Sequence, residues 1–442
     1  MSLLIRSGIV MTMNDRLEIV EGDVSIRDGR IAAIASAIDE PHDRIVDARG
    51  GYVLPGFIQT HIHLCQTLFR GYADDLPLMD WLRRRVWPME AAHTPKSLRA
   101  AARLAATELL CSGTTSVLTM ETVHETDAVF EAVAESGLRA TIGKCMMDLN
   151  TDVPLRLQEH TEASIDESVA IRRRWHGAAN GRLRAAFAPR FTVSCSRELL
   201  EAVAHLSSAD GALVHTHASE SRDEVAIVRL ISGGLTNIEY LASLSLATLR
   251  LCAAHCVWVD EREQQLLTDH GVKVLHCPSS NLKLGSGVAP VPEMLARGIT
   301  VSLGADGAAC NNRLDMFDEM RLAALVQAPR RQPGVIVARE VLWMATRAGA
   351  RTLGLDAEIG SIEPGKRADL IVVDRDRPHL ATGPDPYSTV VYAARGSDVR
   401  TAMVDGDVLV DDFAPVRIDR GEVVAAARIA ARELAARAGV LP

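Results

Sequence analysis

Two imidazoles, His61 and His63, stand two residues apart at the end of the apolar run GYVLPGFIQTHIH. Residues i and i+2 of a strand point to the same face, so the pair is either a polar decoration or two arms of one site. A strand that reads apolar almost throughout belongs inside a parallel sheet, and same-facing histidines there need a shared partner such as a metal ion. Further polar residues interrupt similar apolar runs: His217 and Glu220 in ALVHTHASE, His255 in RLCAAHCV and Asp306 in TVSLGADG. Three imidazoles with the Asp306 carboxylate suit a borderline divalent ion such as zinc, and a catalytic site of this kind keeps one position open for a water. Such a water loses a proton near neutral pH. Taken singly, each of these residues is more often a satisfied buried polar group, but four of them at strand ends of one fold are hard to read that way. Glu220, three residues beyond His217, can serve the same cavity as a general acid or base. His255 can orient the water or polarise the attacked carbon, while His215 and His276 read as structural.

The elements that must position these groups alternate along the chain. Segments 56–63, 114–120, 139–148, 184–191, 212–220, 250–257, 273–278 and 300–307 read as strands, with helical segments such as 97–113 and 196–208 between them. Eight strands alternating with helices predict a (β/α)8 barrel, whose C-terminal strand ends form the active face. The alternative, a doubly wound sheet, lacks a Gly-rich fingerprint after its first strand. Both chain ends show short strands and turns, including DVSIRDGRIAAIAS with its DG turn. The expectation is therefore a catalytic barrel over 56–358 and a small β-sandwich built from 1–55 and 359–442, the latter including a terminal helix.

At 442 residues the chain exceeds the size of a single core. A net charge of −9, aromatics at 4% and the lack of a Lys/Arg cluster argue against nucleic acid as a partner. No apolar run reaches the roughly 18 residues of a membrane span, and the N-terminus lacks the pattern of an export signal. The eight cysteines are scattered without paired spacing, the usage of reduced thiols in a cytoplasmic protein. Assembly into a homo-oligomer is left open.

The motifs PGFIQTHIH, VHTHASE, AAHCV, HCPSSNLKLGSGVAPV, SLGADGAACNNRLDMFDEMRLAAL and GSIEPGKRADLIVVD together resemble the amidohydrolase superfamily, in its branch acting on purines, pterins and s-triazines. No barrel lysine is placed to bridge two metals, so the resemblance implies one divalent ion, zinc by preference, on His61, His63, His217 and Asp306. It further implies that Asp306 takes a proton from the attacking water, that Glu220 protonates the ring nitrogen beside the attacked carbon, and that His255 stabilises the tetrahedral centre before ammonia leaves. The small heterocyclic substrate is less settled. RGYADDLPLMDWLRRRVWPME is similar to deaminases of 5'-deoxyadenosine, methylthioadenosine and S-adenosylhomocysteine, which implies Glu90 on the ribose hydroxyls. APRF stands where an APH-type motif is usual in that group, so Arg190 replaces a purine-contacting histidine. Gln66 and Arg190, with GKCMMDLN, instead resemble guanine deaminase, where an Arg fork and an amide grip a purine carbonyl and ring edge. The structural alternative pairs Arg190 with Asp148 or Glu121. A 5'-modified adenosine ranks first, guanine or a pterin second, an aminated or chlorinated triazine third. A non-catalytic scaffold stands apart from these, and the presence of every presumed ligand and both acid–base groups opposes it.

Overall fold

The structure is a computed structural model, and it describes residues 2–149 and 152–440. All eight expected barrel strands form: β1 (Phe57–Ile62), β2 (Thr114–Met120), β3 (Arg139–Met146), β4 (Leu183–Pro189), β5 (Val214–Ala218), β6 (Leu251–His255), β7 (Lys273–His276) and β8 (Val301–Leu303). They pair in sequence order as one sheet, parallel throughout. Side chains and loop amides close the ring between its two ends. Thr60 Oγ1 donates to Leu303 O at 3.0 Å, and the Asp306 amide donates to His61 O at 3.0 Å. Gly304 permits this approach, because a Cβ there would stand 2.5 Å from His61 O.

Beneath the mouth the interior is apolar. Ile58, Leu118, Ala186, Cys252 and Leu275 meet Leu353 at the opposite end of the barrel. Ile58 belongs to this plug whereas His61, three residues on, belongs to the mouth, a spacing that strict alternation forbids. The β1–β2 register shifts between Gln59 and Ile62, and that irregularity resets which side chains face inward.

Both chain ends build a second, mixed sheet of nine strands. Its seam is the antiparallel pairing of Tyr52–Pro55 with Leu370–Val373. The expected DG turn joins Ile19–Arg27 to Arg30–Ala35, with Asp28 and Gly29 at φ 49° and 77°, the hairpin turn that Asp-Gly favours. Leu3, Ile5 and Val24 from one end share a core with Leu370, Val372 and Met403 from the other. Arg139, at the start of β3, fastens this unit to the barrel through Asp369 (2.7 and 3.0 Å) and Asp405 (2.6 Å), deep out of solvent. The terminal helix Arg420–Ala438 leaves the sheet and packs on the barrel, where Leu434 joins Phe69, Trp81 and Trp87 under the segment that covers the mouth. All eight cysteines are free, and seven are buried. Among the described residues, no helix is long and apolar enough to cross a membrane.

Candidate active site

The C-terminal strand ends bring His61, His63, His217, Glu220, His255 and Asp306 together in one buried cavity. Nε2 of His61 and Nε2 of His63 each lie 3.3 Å from Asp306 Oδ1, and His217 Nε2 lies 3.3 Å from His63 Nε2. The remote ring nitrogens fix these orientations: His63 Nδ1 is 2.7 Å from Met120 O, and His217 Nδ1 is 2.7 Å from Arg190 O. A carbonyl can only accept, so both Nδ1 atoms carry the proton and both Nε2 atoms turn a lone pair inward. His61 Nε2 is buried without a hydrogen-bond partner among the described residues. Lone pairs converging on a carboxylate oxygen repel one another unless a cation stands between them, so these donors fit a metal ion.

Burial drives the His61 pKa down to about 4, with Asp306 opposing, and drives His217 well below the usual histidine range. Burial also disfavours the His63 cation, but Asp306 outweighs it and leaves the pKa raised. Burial alone would lift Asp306, yet His61 and His63 pull it well below the usual carboxylate range. The Asp306 carboxylate is further held by Ser280 Oγ on Oδ2 (2.6 Å) and by the Gly307 amide on Oδ1 (2.7 Å).

The acid–base groups lie alongside. His255 Nδ1 donates to Asn281 Oδ1 (2.8 Å), and the ring presents Nε2 between Glu220 Oε2 (3.6 Å) and Asp306 Oδ2 (3.9 Å). Burial pushes Glu220 up to about 7, against the pull of His255. Three of the residues that shape this mouth adopt left-handed backbone conformations without being glycine: Ser219 (φ 53°), His255 (φ 71°) and Asp306 (φ 62°). Such strain collects where a side chain must be aimed off the regular strand direction.

The three candidate substrate contacts form one unit. Arg190 donates to Glu90 through Nη1 (2.6 Å) and Nη2 (3.3 Å), and Gln66 Nε2 donates to the same carboxylate at 3.1 Å. Asp148 and Glu121, the other partners considered for Arg190, are engaged elsewhere. Gln66 and Arg190 line the cavity, whereas Glu90 lies behind them. Gln66 Oε1 is buried and unpartnered among the described residues, packed where a Cβ on Gly307 would come within 2.0 Å. Glu90 reaches this position because Leu82–Val86 is a π turn. In an uninterrupted helix at about 100° per residue, Trp81 and Glu90 would face roughly opposite ways, and the looser turn takes up about 90° of that difference.

Sequence reasoning missed the groups behind the mouth. His215, read as structural, lies 2.7 Å from His61 Nδ1 through its Nε2 and orients that ring. Its spacing of two from His217 was the available signal, since both face inward. Three buried carboxylates clamp the loops. Glu121 accepts the amides of Leu64 (3.2 Å) and Cys65 (2.9 Å), Glu224 those of Ser219 (3.2 Å) and Glu220 (2.6 Å), and Glu319 that of Ser279 (3.2 Å). Glu121 directly follows β2, a strand-end carboxylate like the others; Glu224 and Glu319 sit on helices and gave no such sign. Lys144 turns away from the mouth to Glu159 at 2.5 Å, so it bridges no metals, and its ammonium offsets part of the negative charge of the nearby His124, Glu159 and Glu167 cluster.

The chain belongs to the amidohydrolase family, whose model matches residues 52–409. It is 40% identical over 437 residues to a 5'-deoxyadenosine deaminase of Methanosarcina mazei, covering 98% of this chain and 99% of that one. It is 37% identical over 442 residues to a 5-methylthioadenosine/S-adenosylhomocysteine deaminase of Pelotomaculum thermopropionicum, covering 99% of each. Its fold superposes on an adenosine deaminase from Xanthomonas campestris with bound zinc, with a TM-score of 0.92 at 31% identity, covering 98% of both chains.

Proposed function

We propose that the protein is a metal-dependent hydrolytic deaminase of a 5'-modified adenosine, producing the inosine analogue and ammonia, with residues 56–358 as its catalytic unit. The convergence of His61, His63, His217 and Asp306 beside a protonatable Glu220 carries the chemistry, and relatives that share about two-fifths of their residues along nearly the whole chain support the substrate class. A single divalent ion, zinc by the donor set, would sit on those four residues and supply Lewis-acid activation of the attacking water. Asp306, kept ionised and aimed by Ser280 and Gly307, accepts the water's proton. Glu220, protonated up to neutrality, donates to the ring nitrogen next to the amino-bearing carbon, which makes that carbon electrophilic. His255, with Nε2 between the Glu220 and Asp306 carboxylates, stabilises the charge that develops as oxygen adds. Asp306 then returns its proton to the departing amine while the added hydroxyl gives its own back to Glu220, so that ammonia and not amide ion leaves and a ring carbonyl remains. The free thiols fit a cytosolic setting.

Arg190 in the cavity wall favours a second reading, guanine deamination. That reading needs a guanidinium fork free to meet a carbonyl, and here both terminal nitrogens serve Glu90. We assign the ribose hydroxyls to the Gln66 amide oxygen, which is unpartnered among the described residues and belongs to a side chain that lines the cavity, with Glu90 holding that side chain from behind. Ammonia release from 5'-deoxyadenosine, methylthioadenosine, guanine, isoxanthopterin and N-ethylammeline decides between the readings. The adenosine reading is lost if guanine, the pterin or the triazine leads by tenfold or more in kcat/KM.

A further inference from the structure

Resting on that reading, we infer that the cavity accepts a 5' end that carries no charge, and that it discriminates by charge and not by length. The polar part of the cavity is fully assigned. Its floor is His63, His217 and Asp306 with Glu220 and His255, and one wall is Gln66 and Arg190 over Glu90. The adenine amino carbon must lie at the floor, where the attacking water and both proton carriers are, and the ribose hydroxyls find their acceptor at Gln66 Oε1 in that wall. What remains for the 5' end is Leu78, Trp81, Leu82, Phe191 and Leu284, each less than one-tenth exposed.

This remaining wall offers nothing to a zwitterion. Among the described residues, the only cation lining the cavity outside the histidines is Arg190, and Glu90 neutralises it in a two-point contact. The arginines of the covering segment, Arg83, Arg84 and Arg85, do not line the cavity, and Arg83 turns to Asp152 at 3.6 Å. Trp81 contributes the wall's one polar atom, an indole N–H that is buried and unpartnered among the described residues. It is a neutral donor, able to meet one oxygen but unable to offset a carboxylate or to accept from an ammonium. An amino-acid tail such as that of S-adenosylhomocysteine would lose its hydration without replacement, whereas a methyl or alkylthio group loses nothing.

The test compares kcat/KM for 5'-deoxyadenosine, methylthioadenosine, 5'-butylthioadenosine and S-adenosylhomocysteine with the metal-loaded enzyme. The butylthio compound matches the homocysteine tail in reach but has no charge. The expected result is that the three uncharged substrates fall within about fivefold of one another and S-adenosylhomocysteine falls tenfold or more below them, chiefly in KM. Leu78→Lys and Leu82→Lys each place a cation in the wall, and either should narrow the gap at least threefold by improving S-adenosylhomocysteine relative to 5'-deoxyadenosine. Equal turnover of S-adenosylhomocysteine by the wild type overturns the inference and leaves the deaminase reading intact. A butylthio compound as poor as S-adenosylhomocysteine also overturns it, because length would then be the discriminator. Failure to turn over any 5'-modified adenosine removes the underlying reading together with this one.

Discussion

Arg190→Met is the perturbation that most directly tests how the substrate wall is built. The pair it breaks has side chains 5% and 1% exposed, with contacts of 2.6 and 3.3 Å. Removing one member of a buried ion pair strands the other, at about 3–5 kcal/mol. Gln66 Nε2 donates to Glu90 before and after the change, so that hydrogen bond cancels and the loss stands. A destabilisation of about 3–5 kcal/mol follows for Arg190→Met, and a similar one for Glu90→Ala, which leaves a guanidinium uncompensated. Glu90→Ala therefore cannot by itself report on ribose binding: it disturbs Arg190 and Gln66 whichever substrate is used. The informative measurement is a double-mutant cycle with Arg190→Met and Glu90→Gln, read by urea unfolding and by kcat/KM on 5'-deoxyadenosine and guanine. The two changes together should cost at least about 2 kcal/mol less than the sum of the singles, because each single strands a charge and the double variant strands none. Additivity within about 0.5 kcal/mol would refute the view that these side chains form one neutralised unit, and a guanine activity that collapses only in Arg190→Met would return the fork to a direct role on a carbonyl.

The remaining predictions concern the metal and the proton carriers. The protein should purify with about one divalent ion per chain, and chelation should abolish activity that added zinc restores; two ions per chain, by metal analysis, would contradict a site of three imidazoles and one carboxylate. Glu220→Gln should keep its metal and lower kcat roughly a hundredfold or more, the usual loss of a general acid. Since burial holds the Glu220 proton up to about 7, the donor form is present below that value and lost above it, so wild-type kcat/KM should fall as pH rises through about 7. A flat profile from pH 6 to 9 would count against the assignment. Glu224→Gln should lower kcat tenfold or more with KM within about threefold, because one of the two oxygens that seat the Ser219 and Glu220 amides is replaced by a donor; unchanged kcat in a folded, metal-loaded variant would make that carboxylate merely structural.

The parts of this molecule that were legible in the sequence are those where a local pattern has one physical solution. Eight apolar strand segments alternating with helical ones admit few topologies, and polar residues at their C-terminal ends could only converge at the mouth of a barrel, which is where His61, His217 and Asp306 meet. The Asp28-Gly29 turn was legible for the same reason, since both residues tolerate positive φ. What stayed hidden depends on partners far apart in the chain. Glu90 and Gln66 were read as pointing to different substrates because nothing local says that Arg190, a hundred residues beyond Glu90, closes on the same carboxylate. Asp369, inside a motif that carried the family resemblance, is buried against Arg139 and fastens the second sheet to β3, a role that no spacing encodes. The clamps Glu224 and Glu319 lie on amphipathic helices, where a glutamate in the first turns normally satisfies a helix end. Glu224 does that and also holds the amide of Glu220, and its one carboxylate thereby ties the start of a surface helix to the placement of the group that must hand a proton to the substrate.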